Sequence, residues 1–103
     1  MPIAFGNTTL DDVAITSSRN LTLNDFGRAL VNSSSTGYNL TLQTSTNAVL
    51  PIGTEIKLQR VSTGQLTFLT TSPITVNGTN SITMSQYYSI RLRKIANEAW
   101  VTV

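Results

Sequence analysis

The chain has 103 residues, which suits one domain with room for one modest core. Only 12% of the residues are charged, about half the usual share, and the net charge is +2. Without Cys or His, it can form no disulfide, no Cys/His zinc, haem or iron–sulfur site, and no Ser-His-Asp or Cys-His catalytic unit.

Polarity comes instead from uncharged groups: 41 of the 103 residues are Thr, Ser, Asn or Gln. Thr, Val and Ile favour strands, and Asn, Ser and Gly favour turns, so the composition leans all-β. The five carboxylates, Asp11, Asp12, Asp25, Glu55 and Glu98, are a thin supply for a two-carboxylate hydrolase. No apolar run reaches the length of a leader peptide or a membrane span, so neither is expected, and no membrane partner.

Residues 1–18 carry scattered apolar side chains (Ile3, Phe5, Leu10, Val13, Ile15) without a sustained period. They are expected to form an extended N-terminal arm, with a short strand at Val13 and Ile15 as the alternative reading. A β-domain is expected over 19–103. Leu21 and Leu23 flank Thr22, Asn24-Asp25 offers caps to a single turn, and Gly27 ends it. Ala29-Leu30-Val31 resumes an apolar run, and Asn32 to Gly37 reads as a loop.

Tyr38, Leu40 and Leu42 alternate with Asn39 and Thr41, the mark of a half-buried strand. Residues 43–48 are polar, and Pro51 and Gly53 mark a turn. Ile56, Leu58 and Arg60 alternate with Lys57, Gln59 and Val61, and Ser62-Thr63-Gly64 then predicts a hairpin into Leu66 and Phe68. Asn77-Gly78 is the strongest short turn signal. Tyr88, Ile90 and Leu92 share one face of a late strand, with Tyr87, Ser89, Arg91 and Arg93 on the other. Asn97-Glu98 turns into Ala99, Val101 and Val103, with Trp100 and Thr102 facing the opposite way. Together these predict seven to nine short strands in a small antiparallel sandwich or barrel, jelly-roll-like. The Leu-Thr-(Leu/Phe) triplets at 21, 40 and 66 are unevenly spaced, which argues against a solenoid.

Few constellations carry chemistry. Arg91, Arg93 and Lys94 beside Tyr87 are the composition a single-stranded nucleic-acid groove uses. Three charges give little electrostatic binding, so a solvated strand face or a polar contact between subunits is the preferred reading, and no specific nucleic-acid partner is expected. Asp11 and Asp12 are adjacent and point to opposite sides of an extended chain, a poor calcium site. Trp100, Tyr87 and Tyr88 could stack sugars, but a lone Trp in a last strand is more simply core or subunit-contact material. Ice binding needs regular Thr-X-Thr ranks, and only Thr44-Ser45-Thr46 fits. Sequons at Asn7, Asn20, Asn32, Asn39 and Asn77 are close to what Asn, Ser and Thr content produces by accident. No enzyme, metal or cofactor is expected.

From residue 19 onward the sequence resembles a β-structured module of tailed-bacteriophage virion proteins. The residues that carry the resemblance run in order: Leu21-Thr22-Leu23-Asn24-Asp25-Phe26-Gly27-Arg28, Leu40-Thr41-Leu42, Pro51-Ile52-Gly53-Thr54-Glu55-Ile56, Gly64-Gln65-Leu66-Thr67-Phe68, Tyr87-Tyr88-Ser89 and Glu98-Ala99-Trp100-Val101. The resemblance implies a scaffold that trimerises and whose partners are other virion proteins or the host surface. With only a short arm ahead of the module, a capsid decoration (cement) protein is expected. It would bind the major capsid protein and copies of itself as a homotrimer on the virion surface. Ile3, Phe5, Leu10 and Val13 would contact the shell, and Tyr87, Arg91, Arg93 and Trp100 would line contacts between subunits. The alternative is a tail- or head-fibre module that recognises a host receptor or glycan, and a third reading is a non-viral carbohydrate-binding or adhesion module.

Overall fold

The computed structural model describes residues 12–103. The chain is all-β, with ten strands, one short α-helix and a single 3-10 turn at Leu23–Asp25 among those residues. β1 (Asp12–Ala14), β3 (Ala29–Asn32), β5 (Glu55–Arg60), β7 (Thr75–Val76), β9 (Ser89–Ala96) and β10 (Ala99–Thr102) build a six-stranded sheet. β2 (Arg19–Asn20), β4 (Tyr38–Leu42), β6 (Leu66–Thr70) and β8 (Ser81–Thr83) build a four-stranded one. Strand order is β1-β3-β5-β9-β10-β7 in the first and β2-β4-β6-β8 in the second.

From β1 to β8 each strand enters the sheet opposite to the one before it. The early turns of this coil therefore stack in parallel. Val13, Leu30 and Leu58 align across β1, β3 and β5, and Leu40 aligns with Phe68 across β4 and β6. Five of the eight strand pairs are parallel. The expected antiparallel arrangement is thus corrected: both sheets are mixed. The predicted hairpin at 62–64 is corrected for the same reason. β5 and β6 lie in different sheets, and residues 61–65 cross between them. Gly64 serves that crossing through its lack of a side chain. A Cβ there would fall 2.6 Å from the Ser34 carbonyl oxygen and closer still to that of Thr36.

One core joins the two sheets. Leu30, Ile56, Leu58, Leu92, Val76 and Trp100 come from the six-stranded sheet, and Leu40, Leu42, Leu66 and Phe68 from the other. Period-two alternation puts these residues on inner faces, where each large side chain contributes about 1.5–3 kcal/mol by leaving water. In β10 the inward residue is Trp100, not the Val101 face. Burying the indole excludes more apolar surface than burying the two flanking aliphatics. Residues 12–18 of the expected arm carry β1, and Ile15 is buried in the core. The polar stretch 43–48 contains a helix, α1 (Thr44–Ala48). Asn77 and Gly78 both take positive φ, and Val76 and Thr79 exchange backbone hydrogen bonds of 2.7 and 3.0 Å, as the turn signal predicts.

Candidate interaction surfaces

Strand alternation decides what the basic cluster can do. In β9, Arg91 and Arg93 point outward, while Lys94, one position on, points into the core and is buried. Its ammonium donates to the carbonyls of Asn47 and Leu50, each at 2.7 Å, at the end of α1. A buried cation is stabilised there by the partial negative charge of carbonyls at the helix end. Asn47 completes the arrangement: its Nδ2 donates to the Asn97 carbonyl at 2.7 Å and its Oδ1 accepts from the Trp100 indole N–H at 2.9 Å. Lys94 and Trp100 are therefore interior groups. Trp100 has no exposed surface to give to a neighbouring subunit, which removes it from the expected contact set.

Arg91 and Arg93 remain on the outer face, at 3.7 and 3.9 Å from the Glu55 carboxylate. These long, solvated ion pairs contribute little to stability. Lys57 sits directly across from Arg91 on the same face. The outer face of the four-stranded sheet carries no charge. Its aligned rows are Asn39, Thr67 and Thr83, and then Asn20, Thr41, Leu69 and Ser81.

Two further polar centres are structural. Asp25 closes the turn after β2: it accepts from the Thr22 N–H at 2.7 Å and from Arg19 at 2.7 and 2.9 Å. Burial opposes the charged carboxylate, yet the Arg19 and Thr22 donors outweigh it and hold Asp25 below the ordinary carboxylate range. The same hydrogen bond raises the Arg19 guanidinium. Asn32 is fully buried, so its sequon cannot take a glycan. Its Nδ2 donates to the carbonyls of Thr36, Gly64 and Gln65 at 3.1–3.2 Å, and its Oδ1 accepts from Ser34.

Besides Val61 and Val103, the exposed large apolar groups among the described residues fall at two places. At one end, Val49 (64% exposed) follows α1, Ile52 (66%) lies in the turn before β5, and Ile95 (50%) ends β9. The backbone bonds from Gly53 N–H to the Lys94 carbonyl and from Lys94 N–H to the Thr54 carbonyl tie the last two segments together. Exposed Leu23 lies on the 21–28 crossover at that same end. At the opposite end, Tyr87 and Tyr88 stand out from the turn between β8 and β9 at 74% and 65% exposure.

Of the expected shell contacts, Val13 is half-buried and packed against the chain's own core, while Ile3, Phe5 and Leu10 lie outside the described residues. Tyr87, Arg91 and Arg93 are exposed. Among the described residues no group of three His, Cys, Asp or Glu side chains could hold a metal ion, and no helix is long and apolar enough to cross a membrane. Sequence reasoning missed Asn32 and Asn47, whose burial no local pattern signals. It also missed that Lys94 faces inward, which the parity of Arg91 and Arg93 does signal. No protein-family model matches the chain, and no curated protein matches it.

Proposed function

We propose that the chain is a non-enzymatic structural protein of a tailed-bacteriophage virion, a capsid decoration protein that seats on the major capsid protein as a trimer and stabilises the shell. The observation that carries this reading is the aliphatic end of the molecule, where Val49, Ile52 and Ile95 stand exposed, Ile52 and Ile95 on segments tied by backbone hydrogen bonds, with none of the described residues covering them. Apolar groups gathered on a polar surface mark a contact site more often than single scattered ones do. The ordered fragments that resemble virion modules add the class of partner. The arm reading keeps Ile3, Phe5 and Leu10 as shell anchors, and Arg91 and Arg93 as candidate contacts between copies. Many weak, symmetry-repeated contacts would then reinforce the shell through multivalency.

Purified protein added to virus particles stripped of it tests the reading. The wild type is expected to co-sediment with the particles, and Ile52→Lys and Ile95→Lys to lose occupancy at least tenfold, roughly 1.4 kcal/mol per contact, with unchanged circular dichroism. Wild-type protein that ignores the particles, or variants that bind as well as the wild type, would contradict it. Binding to host cells without shell binding would favour the fibre alternative.

A further inference from the structure

Tyr87 has φ +64°, a left-handed backbone conformation. It is the third residue of a turn closed by the Tyr88 N–H on the Ser85 carbonyl at 3.2 Å. Turns with positive φ at this position ordinarily use glycine or asparagine, and a bulky side chain there is strained. Tyr87 recovers little of that cost inside its own chain, because its side chain is largely in solvent. The next residue, Tyr88, is a second exposed aromatic.

The turn is nevertheless held firmly. The Arg60 guanidinium donates to the Met84 carbonyl and to the Thr63 carbonyl, each at 2.8 Å, and the Arg60 N–H donates to the Tyr88 carbonyl at 3.0 Å. This brace presents two rings outward, and it occupies both terminal nitrogens of the one arginine bonded to the turn. The other members of the turn, Ser85 and Gln86, offer a hydroxyl and an amide and no charge.

We infer that the Tyr87–Tyr88 turn is a binding site for a neutral carbohydrate. Aromatic rings supply an apolar surface with a polar tip, which suits the C–H face and the hydroxyls of a sugar. The Ser85 hydroxyl and Gln86 amide suit sugar hydroxyls, and the Arg60 terminal nitrogens are directed at the Met84 and Thr63 carbonyls. Strain retained at an exposed ring is characteristic of ligand contacts, where preorganisation is gained at the expense of stability. This site lies at the opposite end from Val49, Ile52 and Ile95 and does not depend on the shell-binding proposal.

The test is an array of neutral and anionic oligosaccharides, followed by NMR titration of the tyrosine ring signals with methyl glucoside, methyl galactoside and N-acetylglucosamine. The wild type is expected to retain at least one neutral sugar, equally at about 50 mM and about 500 mM salt. Tyr87→Ala and Tyr88→Ala are expected to weaken it at least tenfold. Tyr87→Gly, which relieves the backbone, is expected to lose binding while melting at the same or a higher temperature. Retention of anionic sugars only, of no sugar, or of sugars indifferent to both alanine variants would overturn the proposal. So would a lower melting temperature for Tyr87→Gly, or a protein ligand held by the rings in place of a sugar.

Discussion

Asn32 shows how much one uncharged side chain can organise. Its amide nitrogen faces three carbonyls and its oxygen faces Ser34, so the group reads as donor on one side and acceptor on the other. Asn32→Asp keeps the shape and replaces the donor with a second acceptor. Burial and the facing carbonyls would push that carboxyl up, so the folded variant would hold its proton more tightly than the unfolded one. We expect a loss of about 3 kcal/mol at neutral pH, shrinking as pH falls through the raised folded value and levelling off below about 4, the unfolded value. The natural Asp25 has the opposite sign. Its folded value is depressed, so its contribution is complete above about 4 and is lost as pH falls through the depressed value. Denaturant melts of both proteins across acidic pH check this: the wild type should weaken on acidification while the variant gains relative to it. Asp25 as a cap was legible, because Asn-Asp before a glycine is a local signal. Asn32 was not, because its three partners lie four to thirty-three residues away.

At the scale of elements, alternation located strands well and pairing poorly. Tyr38, Leu40 and Leu42 are a strand because their period is local. That Leu40 lies beside Phe68 depends on a crossover whose residues look like those of a hairpin. Gly64 separates the two cases, since its φ is not left-handed and its role is close approach to the 34–36 backbone. Gly64→Ala would force a methyl group onto the Thr36 carbonyl oxygen, which accepts from Asn32, and the Ser34 carbonyl oxygen, which accepts from the Gly64 N–H. We expect a loss of about 2–3 kcal/mol, measured by urea denaturation, whereas a tight hairpin would have tolerated alanine at this backbone angle. The helix α1 was hidden for a related reason. Thr-Ser-Thr-Asn is weak helix-forming sequence, and what holds the helix end is tertiary: the Lys94 ammonium on two of its carbonyls and Asn47 on Trp100.

The whole molecule is asymmetric in a way composition hinted at but did not place. The charged side chains of Glu55, Lys57, Arg91 and Arg93 lie on the outer face of one sheet, while the outer face of the other presents only Thr, Ser, Asn and Leu69. One end carries exposed aliphatic groups and the other two tyrosines. The irregular winding explains why no repeat was visible: strands that stack in parallel are joined by crossovers of unequal length, so the triplets at 21, 40 and 66 lie on neighbouring turns of the coil, offset by two residues and not periodic. A body with distinct ends and faces suits a component placed in one orientation on a larger assembly, which is the central claim. Quantitative mass spectrometry of purified virus particles, giving copies of this chain per copy of the major capsid protein, tests it most directly. The account predicts hundreds of copies per particle, on the order of one per exposed capsid site. A count of about three to eighteen, as a fibre or neck component would give under cyclic symmetry, or the absence of the chain from particles, would contradict it.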